Sequence, residues 1–126
     1  SRKESKKMSF IHKELAEGRW FTLTFLDQMA NIGSEVERTI LWRKKGDNKE
    51  NLRAFYRALE LLDLTIQDSK NRDKLRELCR LREVLSDYFM YDNIYQSTDN
   101  LWHNYFFPFE YASRIKKVNL SIEDPK

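Results

Sequence analysis

Leu52, Phe55, Leu59, Leu62 and Ile66 fall at alternating steps of three and four residues, the cleanest periodicity in the chain. At about 100° per residue this spacing lines all five side chains along one stripe of an α-helix. A strand cannot use it, because strand side chains alternate faces with a period of two. The pattern recurs on both sides of this segment. Leu26, Met29, Ala30, Gly33, Val36, Glu37 and Ile40 share a face between about Thr22 and Lys45. Between about Arg72 and Met90 the face comprises Leu75, Leu78, Leu81 (or the stem of Arg82), Leu85, Tyr88 and Phe89. A last segment, capped by Thr98 or Asp99, carries Leu101, Trp102, Tyr105, Phe106, Phe109 and Ala112.

The punctuation between these segments suits helices joined by short turns. Lys44-Lys45-Gly46 places cations at a helix C-terminus and a glycine where a left-handed cap is needed. Asp47 or Asn48 can cap the next helix, which runs to about Gln67. Asp68-Ser69-Lys70-Asn71 reads as a polar turn, and Tyr91 to Ser97 as a loop. Short connections between long helices favour antiparallel neighbours. The expected fold is therefore all-α: an antiparallel four-helix bundle with a short leading helix, Ser9 to Ala16, ended by Gly18. Residues 1–126 form one domain in this reading, with 1–8 and 119–126 as loose ends. Pro108 is expected to kink or split the last helix near Phe107, because proline removes a helical hydrogen bond and crowds the preceding turn.

Composition supports a helical, non-membrane chain. The 126 residues are enough for one core, and three Gly with two Pro are too few for a many-stranded β fold. No run approaches the roughly 20 apolar residues of a membrane helix. The basic start, Ser1 to Lys7, is not followed by the apolar segment of a signal peptide. Cys79 is the only cysteine, so no intrachain disulfide can form, and a reducing cytoplasm is the expected compartment. The net charge of +3 sits in the ends. Residues 1–13 carry five Lys/Arg against Glu4, and residues 114–126 four against Glu123 and Asp124, leaving 14 basic and 17 acidic groups between them.

No catalytic or metal-binding constellation stands out. A di-metal bundle needs Glu-x-x-His pairs on facing helices, yet Asn100 precedes His103 by three and Ser9 precedes His12 by three. Helical ribonucleases of the HEPN kind carry an Arg four to six residues before a His, and neither histidine has one. Cys79 has Arg80 and Arg82 nearby but no histidine partner, and its place beside Leu78 suggests a buried, inert thiol. No enzyme activity, cofactor, metal or small-molecule substrate is expected.

Two surfaces remain. Arg43, Lys44, Lys45, Arg53 and Arg57 lie in a basic stretch, and Arg72, Arg76 and Arg80, spaced i, i+4, i+8, form a stripe that could follow a phosphate backbone. The plainer reading is a solvated face paired with Glu77 and Glu83. Residues 83–113 are opposite in character: no Lys or Arg, five acids and ten of the chain's seventeen aromatics. So many rings cannot fit one inward stripe, and a helix apolar nearly all round is covered on more than one side. Tyr91, Tyr95, Trp102, Phe107 and Tyr111 are the candidate contact residues. Their cover is either another protein chain or the chain's own segment Phe10 to Phe21. A polar stripe, Asp27, Asn31, Ser34 and Arg38, either fixes helix register or lines an interface, while Ala30, Gly33 and Ser34 are small enough for another helix to approach closely.

The segments Leu15 to Leu23, Ala30 to Val36 and Glu77 to Glu83 resemble a family of small bacterial all-helical proteins of no assigned activity. In layout the chain is also similar to the four-helix bundles of the ribosomal S23-like group. That group includes ring-forming, nucleic-acid-binding accessory proteins of diversity-generating retroelements. The expected function is a non-enzymatic bundle that self-associates or docks a protein partner. The alternative is a nucleic-acid-binding accessory protein using the Arg/Lys-rich face. No membrane partner is expected.

Overall fold

The computed structural model describes residues 18–123, with side chains as far as Leu120. Four helices follow one another: α1 (Phe25–Lys44), α2 (Asn48–Gln67), α3 (Leu75–Met90) and α4 (Asp99–Glu123). Short 3₁₀ helices at Arg19–Thr22 and Ser69–Lys74 precede α1 and α3. No strand occurs among the described residues. The leading segment Ser9 to Ala16, like residues 124–126, lies outside the described residues.

Local chemistry sets the boundaries. Thr24 accepts a hydrogen bond from the Asp27 amide at 3.2 Å and so caps α1 three residues later than its periodicity suggests. Gly46, with φ of 76°, turns the chain, and Asp47 caps α2 by accepting from the Glu50 amide at 3.0 Å. Asp68 caps the second 3₁₀ segment, which takes up Arg72 and delays α3 to Leu75. Thr98 receives the Leu101 amide at 3.0 Å and opens α4.

Contacts between helices give their directions. On α1 and α2, Gln28 meets Asp68, Glu35 meets Arg57, and the Thr39 carbonyl meets Asn51. On α1 and α4, Asp27 meets Ser113, Glu37 meets His103, and Arg43 meets Asp99. Asp63 with Arg82 and Phe55 with Phe89 join α2 to α3, while Tyr88 with Asp99 and Glu77 with Tyr105 join α3 to α4. In every pair one residue number falls as the other rises. All four neighbouring pairs are therefore antiparallel, as expected of an all-α four-helix bundle. The shared core holds Trp20, Met29, Ile32, Val36, Phe55, Leu62, Leu78, Leu85, Trp102 and Phe106. Leu52, Leu75 and Leu101 are more exposed than their periodicity implied, because each lies near the start of its helix at an end of the bundle.

Pro108 neither kinks α4 into two elements nor ends it; the helix runs unbroken through it. Pro108 and Asn104, whose carbonyl loses its helical donor, are both on an exposed face, where water can take that bond. Asn119–Glu123 are helical rather than loose. They continue α4 after it has passed Asp27, near the beginning of α1, at Ser113 and Lys116.

α1 and α4 approach each other closely at Gly33. A Cβ added there would stand 2.8 Å from the Phe106 Cβ and 3.0 Å from its Cγ, so the ring stem lies directly over the glycine. A Gly33→Ala substitution gains about 1 kcal/mol of helix propensity and loses more by overpacking a site that has no flexible neighbour to yield. The expected net destabilisation is about 1–2 kcal/mol in chemical denaturation; a variant more stable than the parent would contradict this packing.

Candidate functional site

At about 100° per residue, Phe107, Tyr111, Ile115 and Val118 fall within roughly 80° of arc on α4. Trp102, Phe106 and Ser113 are buried on its other side. The four outward residues are 50%, 53%, 39% and 48% exposed. The Phe107 and Tyr111 rings stack at 5.8 Å and 26°. Alongside them an open groove of about 500 Å³ is lined by Tyr111, Ala112, Ile115, Lys116, Asn119 and Leu120. A contiguous apolar stripe of this kind is uncommon on a surface that meets only water.

The five aromatic candidates separate into three places. Phe107 and Tyr111 form the outward stripe. Trp102 is not a surface residue: it is 3% exposed and packs against Tyr105 and Phe106, because the α1–α4 register turns it inward. Tyr91 and Tyr95 sit on the α3–α4 loop beside Cys79, Arg82 and Glu83. Asp87 ties that loop down by accepting the amides of Ile94 at 2.9 Å and Tyr95 at 3.1 Å. Tyr95 donates to Glu83 at 2.9 Å, and Arg80 stacks on its ring at 5.3 Å.

One flank of the stripe is charged. His103 Nδ1 lies 2.6 Å from Glu37 Oε2, with Glu110 nearby on α4. Burial, followed by the Glu37 charge, raises the Glu110 carboxyl above its ordinary value, while His103 and Arg114 oppose the rise. Arg114 and Lys117 continue this flank and are exposed. The apolar stripe is thus bordered by acids toward the helix N-terminus and by cations toward its C-terminus.

The basic candidates do not form one face. Arg43, Lys44 and Lys45 lie at the α1–α2 turn, whereas Arg72 and Arg76 begin at the α2–α3 turn, about 30 Å away along a 20-residue helix. Arg43 is held by Asp99 at 2.5 Å and Tyr88 at 2.8 Å, with its guanidinium over the Tyr88 ring. Arg53 and Arg57 approach Glu50 and Glu35 at 3.7 and 3.8 Å. Arg72, Arg76 and Arg80 are exposed, but Arg72 lies in the 3₁₀ segment, so only Arg76 and Arg80 share the α3 helix.

Cys79 is exposed rather than buried, since Leu78, Leu81 and Leu85 take the inward side of α3. Of the polar stripe on α1, only Asp27 reaches another helix, meeting Ser113 at 2.7 Å and Lys116 at 2.9 Å. Asn31 and Ser34 bond back to the carbonyls of Asp27 and Ala30, and Arg38 pairs with Glu35. Of the four, Asp27 alone therefore bears on the register between α1 and α4.

The sequence reading missed a buried polar network. Gln28 donates to Asp68 at 2.8 Å and to the Trp20 carbonyl at 3.2 Å, and accepts from Asn71 at 2.9 Å. Trp20 Nε1 donates to Thr65 at 3.0 Å. Burial alone would raise the Asp68 carboxyl, but Lys70 and Gln28 outweigh it and hold it below 3.8. The only signal for such a network in the sequence is a glutamine on an apolar helix face.

Among the described residues no three His, Cys, Asp or Glu side chains could hold one metal ion, and no helix is long and apolar enough to cross a membrane. No protein-family model, curated protein or solved structure matches the chain.

Asp27 gives a pH test of the α1–α4 register. Its bond from Ser113 and the Lys116 ammonium overcome burial and depress its carboxyl below 3.8. A depressed carboxylate contributes stability above its unfolded pKa and loses it as pH falls through the folded value. Asp27→Asn should cost about 1–2 kcal/mol at pH 7, with the deficit shrinking below pH 4. A deficit that stays constant down to pH 2, followed by urea denaturation, would show that the charge is immaterial.

Proposed function

We propose that the protein is a protein-interaction module whose contact surface is the outward stripe of α4. The observation that carries this reading is the doubly apolar α4. Trp102 and Phe106 fill the bundle core from one side, while Phe107, Tyr111, Ile115 and Val118 stand on the other with no helix against them among the described residues. Among the described residues none of the four belongs to the core cluster or to the side chains packed against it. Covering half-exposed aromatic and aliphatic side chains releases roughly 25 cal/mol per Å² of apolar area, the driving term of most protein association. Aromatic residues bordered by polar and charged side chains match the usual composition of such contacts.

A photo-crosslinking residue at Tyr111 tests this, with the exposed Lys49 on α2 as the control site. In cells making the chain, position 111 should give discrete protein adducts and position 49 none. Equal labelling at both sites, or none at 111, would remove α4 as a contact surface.

A further inference from the structure

On the reading of α4 as a contact surface, we propose that its occupant is the same stripe of a second copy. The two α4 helices lie antiparallel about a two-fold axis near residue 113. A two-fold contact requires one patch that complements itself, residue i meeting j while j meets i. The stripe has that property when reversed. Turning it about a point between Tyr111 and Ile115 exchanges those two residues and brings Phe107 over Val118. Each ring then meets an aliphatic side chain, whereas a parallel pair would stack ring on ring at one end and leave Val118 against Val118 at the other.

The charges on the flank select the same orientation. Glu110, Arg114 and Lys117 lie on one side of the stripe, and Glu37 of α1 is beside Glu110 and His103. The other side carries Leu101, Pro108, Ala112 and Asn119, and beyond them Lys116, which Asp27 already holds. In an antiparallel helix pair each flank meets the same flank of its partner, and in a parallel pair it meets the opposite one. The antiparallel arrangement therefore sets Glu110 and Glu37 of each copy against Arg114 and Lys117 of the other, twice over. A parallel pair would leave Glu110 and Glu37 facing mainly uncharged residues and set Arg114 and Lys117 on the side of Lys116. Glu110, already crowded by the negative charge of Glu37, gains cations that its own bundle supplies only through His103 and Arg114.

Disulfide trapping reads the arrangement directly, in a Cys79→Ser background because that thiol is exposed. Residues 107 of two antiparallel copies are about 16 Å apart along the axis, well beyond the roughly 7 Å Cα limit of a disulfide. Phe107→Cys protein mixed with Val118→Cys protein should cross-link under mild oxidation, and each alone should not. Glu110→Lys should weaken dimerisation about fivefold, and adding Lys117→Glu to the same chain should restore it. Wild-type protein that stays monomeric at about 100 µM in sedimentation equilibrium would overturn the proposal. Cross-linking of Phe107→Cys with itself would also overturn it, by showing a parallel pair. So would a position-111 photo-adduct on Ser9 to Ala16 of the same chain. A monomer whose position 111 still captures a different protein refutes the second copy while leaving the contact surface intact; a monomer with no adduct refutes both.

Discussion

The close passage of Phe106 over Gly33 is the constraint on which the arrangement of α4 depends. A glycine in mid-helix costs about 1 kcal/mol relative to alanine, and here it admits an aromatic stem where any Cβ would collide. Polar contacts on either side of this point fix the helix lengthwise. Asp27 holds Ser113 and Lys116 near one end, and Glu37 with His103 and Arg43 with Asp99 hold the other. With both the depth and the register of α4 set, every one of its side chains is assigned an inner or an outer position. Trp102 goes in; Phe107 and Tyr111 go out.

A second constraint closes the end of the bundle where α2 turns into α3. Gln28, Thr65, Asp68 and Asn71 are buried together, and their hydrogen bonds join the segment before α1 to the end of α2 and the following 3₁₀ helix. Burying such groups costs several kcal/mol if they are unpaired, so the network tolerates few alternative arrangements. It orients the end of the bundle more specifically than apolar packing could. It also explains why Trp20 packs into the core beside α2, away from the outward face of α4.

The function proposed for the chain follows from the surplus left once these constraints are met. The core consumes one face of α4, and a second apolar face remains, bordered by an acidic and then a basic section. Neither the exposed cysteine nor the basic side chains offers a comparable surface. Among the described residues no histidine lines the surface beside Cys79, and the candidate cations are divided between two ends of the bundle or drawn into pairs with Asp99, Glu50 and Glu35.

By itself, the sequence determined the helical class, the four segments, the turn at Gly46-Asp47 and the excess of aromatic residues in the last third. These follow from local rules: periodicity, caps and propensity act within a few residues and can be read along the chain. The smallness of Gly33 announced a close approach, but not which residue would fill it. Only the tertiary structure decided that Trp102 is core while Phe107 is surface, that Cys79 faces out, and that Pro108 can sit in an unbroken helix. Each of these depends on which neighbour lies opposite. The angular position of a side chain on its helix is local, but what it meets is set by register between segments tens of residues apart. The charge order along the α4 flank was present in the sequence throughout; it acquired a side and a direction only when Gly33 fixed how that helix lies.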